Sequence, residues 1–359
     1  MTKNIVFLPG DGIGPEVAAA GRRILGALAP ELAVAQHLIG GAALEAEGVP
    51  LPDATLAACI AADAVMLGAV GGPAWSELPR NRRPETGLLQ LRQAMGVYAN
   101  LRPVRAHPAI AGRSPLKTEV LAGVDILFVR ELTGGAYFGD KGRKDDVAWD
   151  VCRYSRAEIA RVVRLAGQRA RARDGRLTLV DKANVMETGR LWREVTQEIV
   201  AAEFADLDFD CQYADAAAMH ILTRPRDFDV IVTENMFGDI LTDEACVLAG
   251  AIGVLGSAAL GDGRAGLYEP IHGSAPDIAG RGIANPLGFL DSLAMMLDYS
   301  LDRSQDAARL RDGMDHVMRA GILTPDLGGT STTDDVTAAI LNRLDATGTE
   351  DHEREAANV

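Results

Sequence analysis

Two aspartates four residues apart, Asp239 and Asp243 in Gly238-Asp239-Ile240-Leu241-Thr242-Asp243, follow the strand-like run Asp229-Val230-Ile231-Val232-Thr233. If Gly238 opens a helix, that spacing puts both carboxylates on one helical face. Like charges so placed disfavour an isolated helix by a few tenths of a kcal/mol, and a hard divalent cation is one way to compensate them. A solvated acidic face is the other reading and, on the pair alone, the commoner one; context elsewhere in the chain turns the choice toward a metal.

Other groups could supply the remaining chemistry. Lys182, in Val180-Asp181-Lys182-Ala183-Asn184-Val185, stands just after an apolar run, where a desolvated amine can serve as a base. It is one of only 5 lysines beside 31 arginines. Tyr137, in Thr133-Gly134-Gly135-Ala136-Tyr137-Phe138-Gly139, is a candidate proton donor or else a packing tyrosine. Arg92, Arg102 and Arg130 lie near expected turns or strand ends. The planar guanidinium suits bidentate capture of carboxylates, although in so arginine-rich a chain most arginines must be surface residues and each alone reads first as one. His272 sits among small residues in Glu269-Pro270-Ile271-His272-Gly273-Ser274-Ala275-Pro276, a loop that lets a ligand approach the backbone closely. A lone histidine there can also be purely structural.

Short apolar runs alternating with helix-length amphipathic segments must position these groups, which is an α/β pattern. Strands are expected at 5–8, 64–67, 124–129, 177–180 and 230–232, and helices at 15–28, 156–173, 191–204 and 304–320. Residues 134–151 fit neither period and suggest an extended arm or hairpin. The glycine-rich start, Gly10-Asp11-Gly12-Ile13-Gly14-Pro15, occupies the place of a dinucleotide fingerprint but has one residue between its second and third glycines where the fingerprint has two. A tight turn leading into Pro15 at the head of a helix, or a ligand contact, remains.

The 359 residues suggest about two domains. With 48% hydrophobic and 24% charged residues the composition is globular, and a formal charge of −14 argues against a nucleic-acid surface. Small molecules, or copies of the chain itself, are the expected partners. Cys59, Cys152, Cys211 and Cys246 show no CxxC spacing, so neither a zinc site nor a disulfide framework is indicated. The first residues carry no leader pattern and no apolar run reaches a membrane span, which leads to the expectation of a soluble cytoplasmic protein.

In shared order, Leu8–Gly14, Leu67–Pro73, Arg83–Leu89, Leu132–Gly139, Asp181–Arg193, Phe237–Asp243 and Leu267–Pro286 closely resemble the 3-isopropylmalate dehydrogenase family, within the wider group of metal-dependent β-hydroxyacid oxidative decarboxylases that includes isocitrate dehydrogenase. The resemblance is nearly full length. Departures are small: Gly256 stands where a proline is common, and Met186 and Ala216 are variants.

The resemblance implies a two-domain α/β fold that is not a Rossmann fold. Residues 1–98 with 250–345 would form the first domain, on the cofactor side. Residues 99–249 would form the second, with the dimer interface and an arm at about 134–151, leaving 346–359 as a disordered tail. It further implies NAD-dependent oxidative decarboxylation of 3-isopropylmalate on the route to leucine, by a homodimer with shared active sites. Arg92, Arg102 and Arg130 would hold the malate carboxylates, and Glu85, Leu88 and Leu89 would face the isopropyl group. Asp239, Asp243 and a third carboxylate, Asp215, would bind Mg²⁺ or Mn²⁺. Asp215 would come with Lys182 from the partner subunit. Lys182 would act as base and Tyr137 as acid. Gly71, Gly72, Pro73, the run His272, Gly273, Ser274, Ala275, Pro276, Asp277 and Ile278, and Asn285 would bind the cofactor, Asp277 favouring NAD over NADP by charge. The alternatives are a sibling acting on homoisocitrate, isocitrate, D-malate or tartrate, and a catalytically silent subunit of a relative. The two leucines disfavour the former, because a third carboxylate among them would be desolvated and unpaired. The intact set Tyr137, Lys182 and three aspartates disfavours the latter.

Overall fold

The computed structural model describes residues 3–357, with side chains described to residue 346. The chain divides into two compact units, Met1–Gly96 with Ala251–Val359, and Val97–Gly250. In chain order the strands are β1 (Asn4–Gly10), β2 (Ala33–Gln36), β3 (Ala64–Ala69), β4 (Ala99–Arg105), β5 (Asp125–Glu131), β6 (Lys141–Lys144), β7 (Val147–Asp150), β8 (Arg176–Asp181), β9 (Asp208–Tyr213), β10 (Val230–Thr233), β11 (Gly256–Leu260) and β12 (Leu267–Pro270).

In the first unit the strands lie in the order β2-β1-β3-β12-β11, parallel except for the antiparallel pair β11–β12. All six residues of β3 are buried, as expected of a strand covered on both faces. The helix Leu287–Tyr299 is apolar nearly all round and packs Phe289 against Phe7, ring centroids 5.9 Å apart. Gly21, on the helix Gly14–Leu28, makes room for that ring: a Cβ there would stand 2.2 Å from Phe289 Cε1.

The second unit orders its strands β4-β5-β10-β8-β9, with β4–β5 antiparallel and the rest parallel. The helix Arg156–Arg171 begins at a capping box in which Ser155 and Glu158 satisfy each other's backbone N–H groups. Trp192, on the helix Glu187–Glu203, is fully buried and meets Tyr154 edge-on at 5.4 Å. Among the described residues, strands β6 and β7 pair only with each other, as an antiparallel ribbon that leaves Val147 and Trp149 exposed.

The expected strands at 5–8, 64–67, 177–180 and 230–232 fall within β1, β3, β8 and β10, and the one expected from residue 124 starts one residue later as β5. Strands β2, β4, β9, β11 and β12 carry polar or small residues and lie outside the expected set, because they lack a clear apolar run. The helix bearing Asp239 opens at Asn235, not at Gly238, because Glu234 caps it by accepting from the Phe237 N–H at 2.7 Å. The last helix spans Thr333–Ala357, and the tail expectation for 346–359 falls almost wholly on residues whose side chains lie outside the described ones. No described helix is long and apolar enough to cross a membrane.

Candidate active site

Strand alternation puts Asn100 and Arg102 on one face of β4, and the antiparallel register sets Arg130 of β5 directly opposite Asn100. Over them lies the helix Asn235–Ala249, whose Asn235, Asp239, Thr242 and Asp243 recur at i, i+4, i+7 and i+8 and so share one stripe. Arg102, 8% exposed, donates to Asn100 Oδ1 (2.6 Å) and Thr242 Oγ1 (2.7 Å), and its guanidinium reaches Asp239 (3.4 Å) and Asp243 (3.6 Å). Arg130, 2% exposed, donates Nε and Nη2 to Asn235 Oδ1 (3.1 and 2.7 Å) and Nη1 to Asp239 Oδ1. Gly238 lets it lie there: a Cβ at that position would be 2.6 Å from Arg130 Cγ.

Tyr137 ends the short turn Gly135–Tyr137 and donates its hydroxyl to Asp239 Oδ2 at 2.9 Å. Burial, then the Asp239 charge, push its phenol up to about 12, so it holds its proton at neutral pH. Asp243 has its carboxyl raised above the ordinary aspartate range by the protein crowded round it and also by Asp239, against the pull of Arg102. Two carboxylates that raise each other's cost on one helical face are a donor set that suits a hard divalent cation. Among the described residues no three His, Cys, Asp or Glu side chains gather into a metal cluster. Asp215 pairs instead with Lys182 at 2.8 Å, which lowers its carboxyl below the usual range. Arg193 backs that pair, holding the buried Asp181 through two 2.8 Å hydrogen bonds and stacking its guanidinium 4.9 Å from the Tyr213 ring.

In the first unit Arg92 meets Glu269 at 2.5 Å, both side chains largely buried. Arg102 lies inside β4, so its expectation near a turn or strand end is corrected, while Arg92, in the last turn of the helix Pro84–Ala94, stands just before a turn and Arg130 near a strand end. Pro84 sets the helix start and keeps Arg92 in register with exposed Glu85 and half-buried Leu88 and Leu89.

The glycine-rich turn resolves toward structure. Asp11, buried, accepts from the backbone N–H groups of Gly41 (2.9 Å), Ala42 (2.8 Å) and Gly71 (2.8 Å). Ile13 N–H donates to Ser274 O at 2.8 Å, and a Cβ on Gly12 would fall 1.9 Å from that oxygen. One turn therefore anchors both expected cofactor segments, Gly71-Gly72-Pro73 and the His272 loop. Gly71 has φ +102°, closed to most side chains, and its missing Cβ admits Glu85 Oε1. In the loop His272 is buried, its Nδ1 against Gly273 O at 2.9 Å and its Nε2 without a partner among the described residues. Burial lowers its pKa below the ordinary histidine value and keeps the ring neutral. Gly273 is open on its outer side and Ala275 takes φ +37°. An orphaned buried nitrogen beside exposed small residues fits a loop that receives a ligand. Asp277 and Pro276 are exposed and Ile278 half-buried, whereas Asn285 is turned inward, donating to Asp326 at 2.9 Å and capping Leu287 N–H at 3.0 Å.

Within the second unit the structure adds Asn100, Asn235, Thr242 and Tyr154, which sequence reasoning missed. A sequence signal exists for Asn235 and Thr242, since both share the helical stripe of the two aspartates; for Tyr154 there is none local to it.

A sequence model for isocitrate/isopropylmalate dehydrogenases matches residues 4–340. The 3-isopropylmalate dehydrogenase of Anaeromyxobacter dehalogenans is 52% identical over 353 residues, covering 96% of this chain and 100% of its own length. That of Rhodopirellula baltica is 48% identical over 357 residues, covering 96% and 99%. The crystal structure of isocitrate dehydrogenase from Methylococcus capsulatus superposes with a TM-score of 0.86 at 35% identity, covering 96% of this chain and 99% of that one. With a family match across nearly its whole length and relatives at about half identity, this two-domain α/β chain belongs to the isocitrate/isopropylmalate dehydrogenase family.

Proposed function

We infer that this enzyme oxidatively decarboxylates (2R,3S)-3-isopropylmalate to 4-methyl-2-oxopentanoate and CO₂ with reduction of NAD, a step of leucine biosynthesis. The observation that carries the reading is the convergence of buried Arg102 and Arg130, a protonated Tyr137 and the paired Asp239 and Asp243. Cations recognise a dicarboxylate, acidic oxygens a divalent ion, and a phenol kept neutral can return a proton. Relatives at 48–52% identity bear the name 3-isopropylmalate dehydrogenase, which favours this substrate over isocitrate.

Arg92, Arg102 and Arg130 fix the two carboxylates before reaction, an orientation worth several kcal/mol. Lys182, held by Asp215, takes the C2 hydroxyl proton as the C2 hydride departs, leaving a ketone. The C3–carboxylate bond then breaks, CO₂ leaves, and Tyr137 gives its proton to C3 of the resulting enolate. Asp239 and Asp243, with Asp215, are the residues that would hold Mg²⁺ or Mn²⁺, whose Lewis acidity when bound stabilises the charge left at the C2 oxygen. The 71–73 segment, the 272–278 loop and Asn285 would hold NAD, which when bound accepts the hydride. Glu85, Leu88 and Leu89 are the side chains assigned to the isopropyl group.

The working form is a cytoplasmic homodimer in which Lys182 and Asp215 serve the partner's Tyr137. Support comes from exposed apolar residues beside each half of the machinery, Val185, Met219 and Ile240, from Trp149 on the β6–β7 ribbon, and from four free cysteines, which suit a reducing compartment. The deciding experiment follows NADH formation with 3-isopropylmalate, isocitrate, homoisocitrate and D-malate in parallel. Isopropylmalate should have the highest kcat/KM, and any other ranking overturns the substrate assignment. Mixing inactive Lys182→Met and Tyr137→Phe chains under subunit exchange should restore activity, and no recovery despite demonstrated exchange would refute the shared site.

A further inference from the structure

We propose that Asn235 is a positioning residue, one side-chain amide that sets the Arg130 guanidinium and the turn bearing Tyr137 at the same time. The inference rests on the roles just assigned to those two residues. Asn235 is 1% exposed, and each end of its amide is committed. Oδ1 accepts Nε and Nη2 of Arg130 at 3.1 and 2.7 Å, while Nδ2 donates to the Gly134 carbonyl at 3.1 Å. That leaves Arg130 Nη1 for Asp239, with the guanidinium 5.7 Å from the centre of the Tyr137 ring.

The amide cannot be reversed, because its NH₂ would face a cation and its oxygen a carbonyl. Gly134 immediately precedes the Gly135–Tyr137 turn, so the Nδ2 bond reaches the acid through three residues of backbone. Asn235 is itself pinned: its backbone N–H donates to Tyr154 Oη at 3.0 Å, and Tyr154 donates to Glu234 at 2.9 Å. The same tyrosine seats the turn, since a Cβ on Gly134 would lie 2.5 Å from Tyr154 Cε1 and one on Gly135 2.3 Å from its oxygen. Aspartate at 235 would keep the acceptor for Arg130 and lose the donor; alanine would lose both. Capture of the substrate carboxylate and delivery of the proton are thus tied to opposite ends of one side chain.

Two readouts separate the ends. Calorimetric binding of 3-isopropylmalate in Mg²⁺ without NAD reads Arg130. Proton NMR of hydrogen–deuterium exchange at C3 of 4-methyl-2-oxopentanoate in D₂O reads Tyr137 without the hydride step. Asn235→Asp should bind isopropylmalate within about threefold of wild type yet slow the C3 exchange about tenfold or more, as Tyr137→Phe does. Asn235→Ala should slow the exchange and also weaken binding about tenfold or more. The proposal is overturned if folded Asn235→Asp exchanges at the wild-type rate while Tyr137→Phe does not, or if folded Asn235→Ala binds as wild type. Should Asn235→Ala fail to fold, Asn235→Asp carries the test; failure of both to fold makes Asn235 structural and overturns the proposal. Wild-type exchange by Tyr137→Phe would instead refute the role of Tyr137, and the binding arm would still report on Arg130.

Discussion

Gly238→Ala tests how the buried arginine is held. A Cβ there would lie 2.6 Å from Arg130 Cγ and 2.8 Å from its Cβ, where carbon atoms normally approach to about 3.5 Å. The blocked atoms are the near end of the side chain, fixed to β5, and the far end is held by Asn235 and Asp239. Arg130 must therefore shift by about 1 Å, a misplacement that can cost about 100-fold in rate. Stability should suffer less. Overpacking costs about 1–3 kcal/mol, and replacing a helical glycine with alanine returns about 1 kcal/mol, for a net loss of about 0–2 kcal/mol. Gly26, exposed in the helix Gly14–Leu28 with open space at its Cβ, is the control: Gly26→Ala should stabilise slightly and leave kinetics alone. NADH formation over a range of isopropylmalate concentrations, with thermal melts, should show kcat/KM lowered about 10- to 100-fold in Gly238→Ala, with KM raised. A folded Gly238→Ala with KM within about twofold of wild type would refute the reasoning, because Arg130 would then tolerate the intruding methyl.

Asp243→Asn should keep the fold, since it removes a repulsion with Asp239, and should raise the Mg²⁺ needed for half activity about tenfold or more; full activity in EDTA-treated wild type would refute the metal mechanism. Wild type should prefer NAD to NADP by about two orders of magnitude, and Asp277→Lys with Ile278→Tyr should shift that preference toward NADP; equal wild-type use of both cofactors would refute selection by this loop. Burial lowers the pKa of His272, so its contribution to stability is complete above the ordinary value of 6.5 and is lost as pH falls from there toward the depressed folded value. Urea midpoints should fall more steeply below pH ~6.5 in wild type than in His272→Gln, and parallel curves would show that the ring does not titrate on unfolding.

Chemistry carried on short contiguous words is legible in the sequence. Asp239 and Asp243 can be placed on one helical face because helical period is a local property, and Lys182 can be placed after β8 because a buried parallel strand is a short apolar run. Strand β4 fails that test. It reads Ala-Asn-Leu-Arg-Pro-Val-Arg, and its polar Asn100 and Arg102 resemble turn residues, yet both are buried because they are paired with each other and with Thr242, 140 positions away from Arg102.

The same physics explains why Gly10-Asp11-Gly12-Ile13-Gly14 is ambiguous as a sequence. A carboxylate among glycines before a helix reads equally as a ligand contact or a turn, and the choice depends on where three N–H groups lie, of which Gly71 is 60 positions from Asp11. Buried polar groups are satisfied by whatever the fold brings to them, so their partners cannot be inferred from their neighbours in the chain. Asp11 draws in Gly41, Ala42 and Gly71 while the adjoining backbone holds Ser274, so a motif with no cofactor atom of its own settles where the expected cofactor segments stand. Asn235 occupies the corresponding place beneath Arg130 and Tyr137. In both cases the groups expected to bind or react are recognisable by type, whereas the residues that hold them are recognisable only by hydrogen-bond partners far away in the chain.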